Sequence, residues 1–130
     1  MTPRPGGRRQ PCTLADARAR LRDAEAFLEA ADISGHADVI ATNAIHAAIA
    51  AADAICCLAL RHRSAGGNHR MAVELLGGVD ASLAATLGRL LNRKQQAAYE
   101  ARDVSANDAT TCIRQATTVV EAARSRLLNT

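Results

Sequence analysis

An aspartate inside an alanine-rich run is the first residue of this chain whose chemistry needs explaining. Asp53 lies within AIHAAIAAADAICCLAL, Ala44 to Leu60, where His46 is the only other strongly polar side chain. A buried carboxylate is costly unless a cation or hydrogen-bond donors hold it. On a helix, steps of three and four residues bring Asn43, His46, Ala50, Asp53 and Cys57 to one side. Two readings follow. Either Asp53 accepts a hydrogen bond from a neighbouring helix and sets its register, or it belongs to a polar pocket within a bundle.

A second concentration of chemistry follows at once. Residues 61–70, RHRSAGGNHR, hold three arginines and two histidines around a glycine turn. Arginine forks suit phosphate oxygens, and backbone N–H groups opening the next helix add partial positive charge. This makes Arg61, Arg63, Asn68, His69 and Arg70 candidates for an anion site. Arginines near a helix C-terminus also complement the macrodipole, which is the plainer reading. The turn lacks the lysine and hydroxyl pattern of a P-loop, so nucleotide hydrolysis is not indicated.

Lys94 is the only lysine of the chain and shares a helix side with Leu87, Leu90 and Ala98. It either reaches to the rim or pairs with an acid such as Asp53. Tyr99 falls on a different face, with Gly88, Asn92, Gln95 and Arg102, where small and polar neighbours suit a close partner. Other chemistries fail on spacing. No Glu has His three residues later, as a di-iron carboxylate bundle requires, and no HExxH, CxxCH or GxSxG occurs. No metal or cofactor is expected.

Helices must position these groups. Thr13 is a natural N-cap for a first helix to about Ala31, with Leu14, Ala17, Leu21, Ala24, Leu28 and Ala31 in a narrow stripe. Ser34-Gly35 punctuates, and a second helix from about Ala37 to His62 is apolar nearly all round, which predicts the buried centre of the fold. Gly66-Gly67 ends that region. A short helix, about His69 to Leu76, stops at Gly77-Gly78. Asp80 caps a fourth helix to about Ala101, with Leu83, Leu87, Leu90 and Leu91 inward. Ser105 and Asp108 form a capping-box pattern opening a fifth, with Ala109, Ile113, Ala116, Val120, Ala123 and Leu127 in a seam. The fold class expected is all-α: an up-and-down bundle of four long helices plus one short one, over residues 13–130.

Composition agrees. The chain of 130 residues holds one Phe, one Tyr and no Trp, so its core must be aliphatic. The net charge of +3 sits in the N-terminal arm. Arg4, Arg8 and Arg9 account for it, and the remaining 13 basic residues balance 13 acidic ones. A neutral body leaves little electrostatic footprint for general nucleic-acid binding. Residues 1–12 read as a disordered basic arm without the apolar region of a signal peptide. The Ala44–Leu60 run is short for a membrane span, so no membrane is expected. Cys12, Cys56, Cys57 and Cys112 follow no disulfide-framework spacing. Cys56 and Cys57, adjacent within the apolar helix, read as buried free thiols, and reduced cysteines agree with a cytoplasmic protein.

In order and spacing, the helix with AIHAAIAAADAICCLAL, the RSAGGNHRMAVELL turn, LGRLLNRKQQAAYE and the closing VSANDATTCIRQATTVVEAARSRL resemble the HEPN superfamily, over roughly Val39 to Leu127. These are small prokaryotic helical domains of toxin–antitoxin and defence modules. The resemblance implies a four- or five-helix bundle that pairs into a homodimer. Active members are metal-independent endoribonucleases whose motif is Arg, four to six residues, then His, with Tyr two residues on. Arginine there holds phosphate while histidine assists attack of the ribose 2′-hydroxyl. Over NRKQQAAYE the histidine position falls on Ala97 or Ala98, leaving Tyr99 and Arg93 or Lys94, so the motif is degenerate.

The function expected is therefore a dimeric HEPN-like protein that binds RNA or a partner protein, such as a cognate antitoxin or a nucleotidyltransferase. The alternative is an active ribonuclease using Arg63 and His69, whose spacing also meets the motif, with Asp53 and Lys94 nearby. A third reading is a structural adaptor without a ligand site.

Overall fold

The computed structural model describes residues 9–65, 69–99 and 103–130, the side chains of 96–99 excepted. Five helices carry most of the chain: α1 (Leu14–Ile33), α2 (Ala37–Leu60), α3 (His69–Gly77), α4 (Ala81–Tyr99) and α5 (Ala106–Leu128). Two three-residue strands, β1 (Arg9–Pro11) and β2 (His62–Ser64), complete it.

Each helix start follows from local sequence. Thr13 and Asp16 form a full capping box: the Thr13 hydroxyl accepts from the Asp16 N–H, and the Asp16 carboxylate accepts from the Thr13 N–H. This satisfies two N–H groups that have no partner within the helix. Asp80 accepts from the Leu83 N–H at the head of α4, and Ser105 accepts from the Asp108 N–H at the head of α5. The Asp108 carboxylate also receives Arg93 of α4, at 3.0 Å.

Helix α2 lies at the centre, as expected, with α1 and α5 packed along it. Thirteen of its residues are buried, most of them alanines, and Ile55 and Cys57 are wholly enclosed. On α1 the buried positions are Ala17, Ala24 and Ala31, seven residues apart. Side chains this small let two helix backbones approach closely, which replaces the bulk that absent aromatics would supply. The leucines of that stripe, Leu14, Leu21 and Leu28, flank the contact half-buried. On α5 the seam also includes Cys112 and Val119, while Ile113 sits at its edge.

Polar ties set relative directions. The Val104 N–H donates to Asp38 at 3.1 Å, so α5 starts beside the start of α2. Arg126–Asp80 and Arg93–Asp108 join opposite ends of α4 and α5, which therefore run antiparallel. Helix α2 is also long and apolar enough to cross a membrane by length and composition, but 67% of that stretch is buried inside the protein.

Three sequence expectations need correction. The segment through residue 12 is not all a disordered arm, because Arg9–Pro11 pair antiparallel with His62–Ser64 and Cys12 is buried. Helix α2 ends at Leu60, two residues early: Arg61 takes a left-handed conformation (φ 61°), and its carbonyl accepts from the Cys12 N–H at 2.9 Å. The fold therefore holds a two-stranded ribbon that an all-helical reading omits. Strands of three residues are too short for alternation to reveal.

Candidate functional site

Of the stripe read on α2, His46, Asp53 and Cys57 meet α1 and the segment before it. The Phe27 ring of α1 sits 5.2 Å from His46 between centroids. Seven residues before Phe27, Arg20 sends Nε and Nη2 to one oxygen of Asp53, at 3.2 and 3.0 Å. Arg63 of β2 adds a second cation at 3.8 Å from the same oxygen. Asp53 is 3% exposed. Burial raises its pKa above the ordinary 3.8, against the opposing pull of Arg20, then Arg63 and the Ser64 hydrogen bond. The carboxylate thus joins α1, α2 and β2 and has no open face for a ligand.

Cys57 ends the stripe, bonded to Cys12 as a disulfide with Cα atoms 5.5 Å apart. This overturns the expectation that Cys57, like Cys56, is a free thiol. Only Cys56 and Cys112 are free, and both are buried. The Cys56 thiol is pushed up to about 12, by burial first and then by the Asp53 charge; burial also raises Cys112. Thiols this hard to ionise are poor nucleophiles. The disulfide also removes the cysteine argument for a cytoplasmic setting, since such bonds persist mainly in oxidising compartments.

On another side of α2, a cleft of about 680 Å³ opens between α2, α3 and α4. Its apolar part comes from Ile45 on α2, Val73 on α3 and Leu91 on α4. Gly88 lies in the same wall, and a Cβ built there meets nothing within 4 Å. Among the described residues the polar part is mainly basic: His46, His69, Arg70 and Lys94, against the single carboxylate of Glu74. Thr42, Asn92 and Gln95 add neutral hydrogen-bonding groups. This volume falls within the range of small-molecule sites, roughly 300–1,000 Å³.

Lys94 stands apart among the cations. Six arginine or lysine side chains are half-buried among the described residues. Arg20, Arg63, Arg93, Arg124 and Arg126 each have a carboxylate within 4 Å. Lys94 has none. A partly desolvated ammonium without a counter-charge attracts an anion more strongly than one in open water.

The candidate catalytic residues do not assemble. Asp53 and Arg63 lie together at the α1–α2–β2 junction, whereas His69 and Lys94 line the cleft. Arg63 also donates to the Ser64 carbonyl, at 3.3 Å. Of the candidate binding residues, Arg70 lines the cleft and Arg61 caps α2 in the open. Asn68 and the Tyr99 side chain lie outside the described residues. Gly88, Asn92 and Gln95, which shared the Tyr99 face in sequence, all line the cleft.

The sequence reading missed Ile45, Val73 and Leu91 because apolar residues at helical spacing look like core. It missed the disulfide too, although the geometry was available. An antiparallel hairpin turning at residues 34–36 places Cys12 opposite Cys57.

No protein-family model, curated protein or solved structure matches the chain.

Proposed function

We propose that this chain is a binding protein without nuclease chemistry, HEPN-like in its up-and-down bundle, whose working site is the cleft between α2, α3 and α4. Its ligand carries negative charge beside apolar surface. The observation that supports this reading is Lys94, half-buried without a carboxylate at the edge of an apolar wall. The resemblance adds the expected setting: a homodimer in a toxin–antitoxin or defence module, binding RNA or a partner such as an antitoxin or nucleotidyltransferase.

The nuclease alternative is less favoured because its arginine is engaged. Ribonuclease chemistry of the HEPN type needs arginine and histidine on one phosphate, yet Arg63 neighbours Asp53 while His69 lines the cleft. The adaptor reading is also less favoured, since it leaves the unpaired Lys94 without a role.

The test is incubation of purified protein with single-stranded RNA in EDTA, beside titration with the anionic apolar dye 8-anilinonaphthalene-1-sulfonate. Intact RNA is expected, with dye binding that weakens ~10-fold in Lys94→Gln, the scale of losing one charged contact. RNA cleavage that disappears in His69→Ala would establish the nuclease instead. Dye binding indifferent to Lys94→Gln would remove the cleft from consideration.

A further inference from the structure

We infer that the cleft receives a small single-headed amphiphile, an aliphatic carboxylate whose head meets Lys94 and whose chain lies along Ile45, Val73 and Leu91. The inference rests on the proposal that the cleft is the working site, and names what fills it.

Size gives the first argument. The wall on α4 runs from Gly88 to Gln95, roughly 10 Å at the helical rise of about 1.5 Å per residue. Three helices contribute to the lining, so a molecule seated in the cleft meets all three. A volume near 680 Å³ holds a small molecule whole.

Charge gives the second. Lys94 and Arg70 outnumber the one acid, Glu74. Arg70 and Glu74 are exposed, whereas Lys94 is half-buried, which makes Lys94 the anchor and α3 the mouth. An ammonium acts as a compact point charge and needs no planar, two-pronged partner. A lone carboxylate head meets that requirement.

The floor gives the third. Gly88 has no neighbour within 4 Å of where a side chain would stand, so the helix backbone itself is open to contact by a chain of methylenes.

Decanoate, decanol and decyltrimethylammonium distinguish the terms when titrated by calorimetry into the full chain. Decanoate should bind one to one, ~10-fold or more tighter than either companion, as expected for a charge-assisted contact. Lys94→Gln should erase that preference while keeping residual chain binding. Gly88→Leu starts from a Cβ position with nothing within 4 Å, extends a side chain into the groove and should abolish binding of all three, with helicity by circular dichroism unchanged. Should Gly88→Leu fail to fold, the Lys94→Gln comparison decides alone.

Equal affinity for the anion and the cation, or no binding of decanoate, overturns the inference. If instead a single-stranded RNA oligonucleotide or an acidic amphipathic peptide binds, and Gly88→Leu or Lys94→Gln blocks it, the cleft reading survives and the small-ligand inference falls. Binding of every probe unaffected by both substitutions sinks both.

Discussion

Asp53 concentrates the electrostatic questions of this protein in one carboxyl group. Two arginines reach it, yet burial outweighs them, and its pKa lies above 3.8. The folded chain therefore holds the Asp53 proton more tightly than the unfolded chain does, and this group's contribution to stability declines as pH rises above that value. Asp53→Asn lacks this titration. The difference in Tm between the natural protein and Asp53→Asn should accordingly move in the variant's favour from about pH 4 to pH 7, measured by thermal unfolding at constant ionic strength. A difference moving the other way would mean that Arg20 and Arg63 overcome desolvation. The sequence announced Asp53 by its surroundings, but not its partners, because Arg20 lies 33 positions away on a helix with two other arginines, Arg18 and Arg22.

Among the elements, the α1–α2 hairpin is the best secured. It has a capping box at one end, alanines along its contact, the Asp53 cluster and the Cys12–Cys57 bond. Cross-linking residues 45 positions apart restricts the unfolded chain. Cys12→Ala with Cys57→Ala should lower the unfolding free energy by about 2–4 kcal/mol in urea titrations. Thiol alkylation provides the check on the bond itself: without reductant, native protein should take up no label and denatured protein two, one each at Cys56 and Cys112. Helix α4 invites the opposite change. Gly88 is a weak helix former facing open space, so Gly88→Ala should stabilise by roughly 0.5–1 kcal/mol, read as a raised Tm.

These elements show why parts of the fold were legible and others were not. Helix starts carry their own chemistry at Thr13, Asp80 and Ser105, and the near-continuous apolarity of α2 marks it as central. The end of α2 depends on distant partners: Arg61 turns because Cys12 and the β1 strand meet it there. No local signal encodes that.

For the whole molecule, the arrangement separates two kinds of polar chemistry. The α1 side of α2 uses its charges internally, in paired and buried contacts that hold helices in register. The α3–α4 side leaves a cation unspent beside an apolar floor. Sequence spacing suggested that Asp53, His69 and Lys94 could gather at one place, because periodicity gives the side of one helix but not which neighbour covers it. His46 illustrates this: it belongs to the α1-facing stripe by spacing, stacks near Phe27, and still borders the cleft.

The sulfur bond between residues 12 and 57 has a topological consequence. It makes α1, the turn after it and nearly all of α2 a covalent ring. A single proteolytic nick inside that ring, for instance near Gly35, leaves one connected molecule. Nicked protein should run at full mass on a denaturing gel without reductant and separate into two fragments once thiol is added.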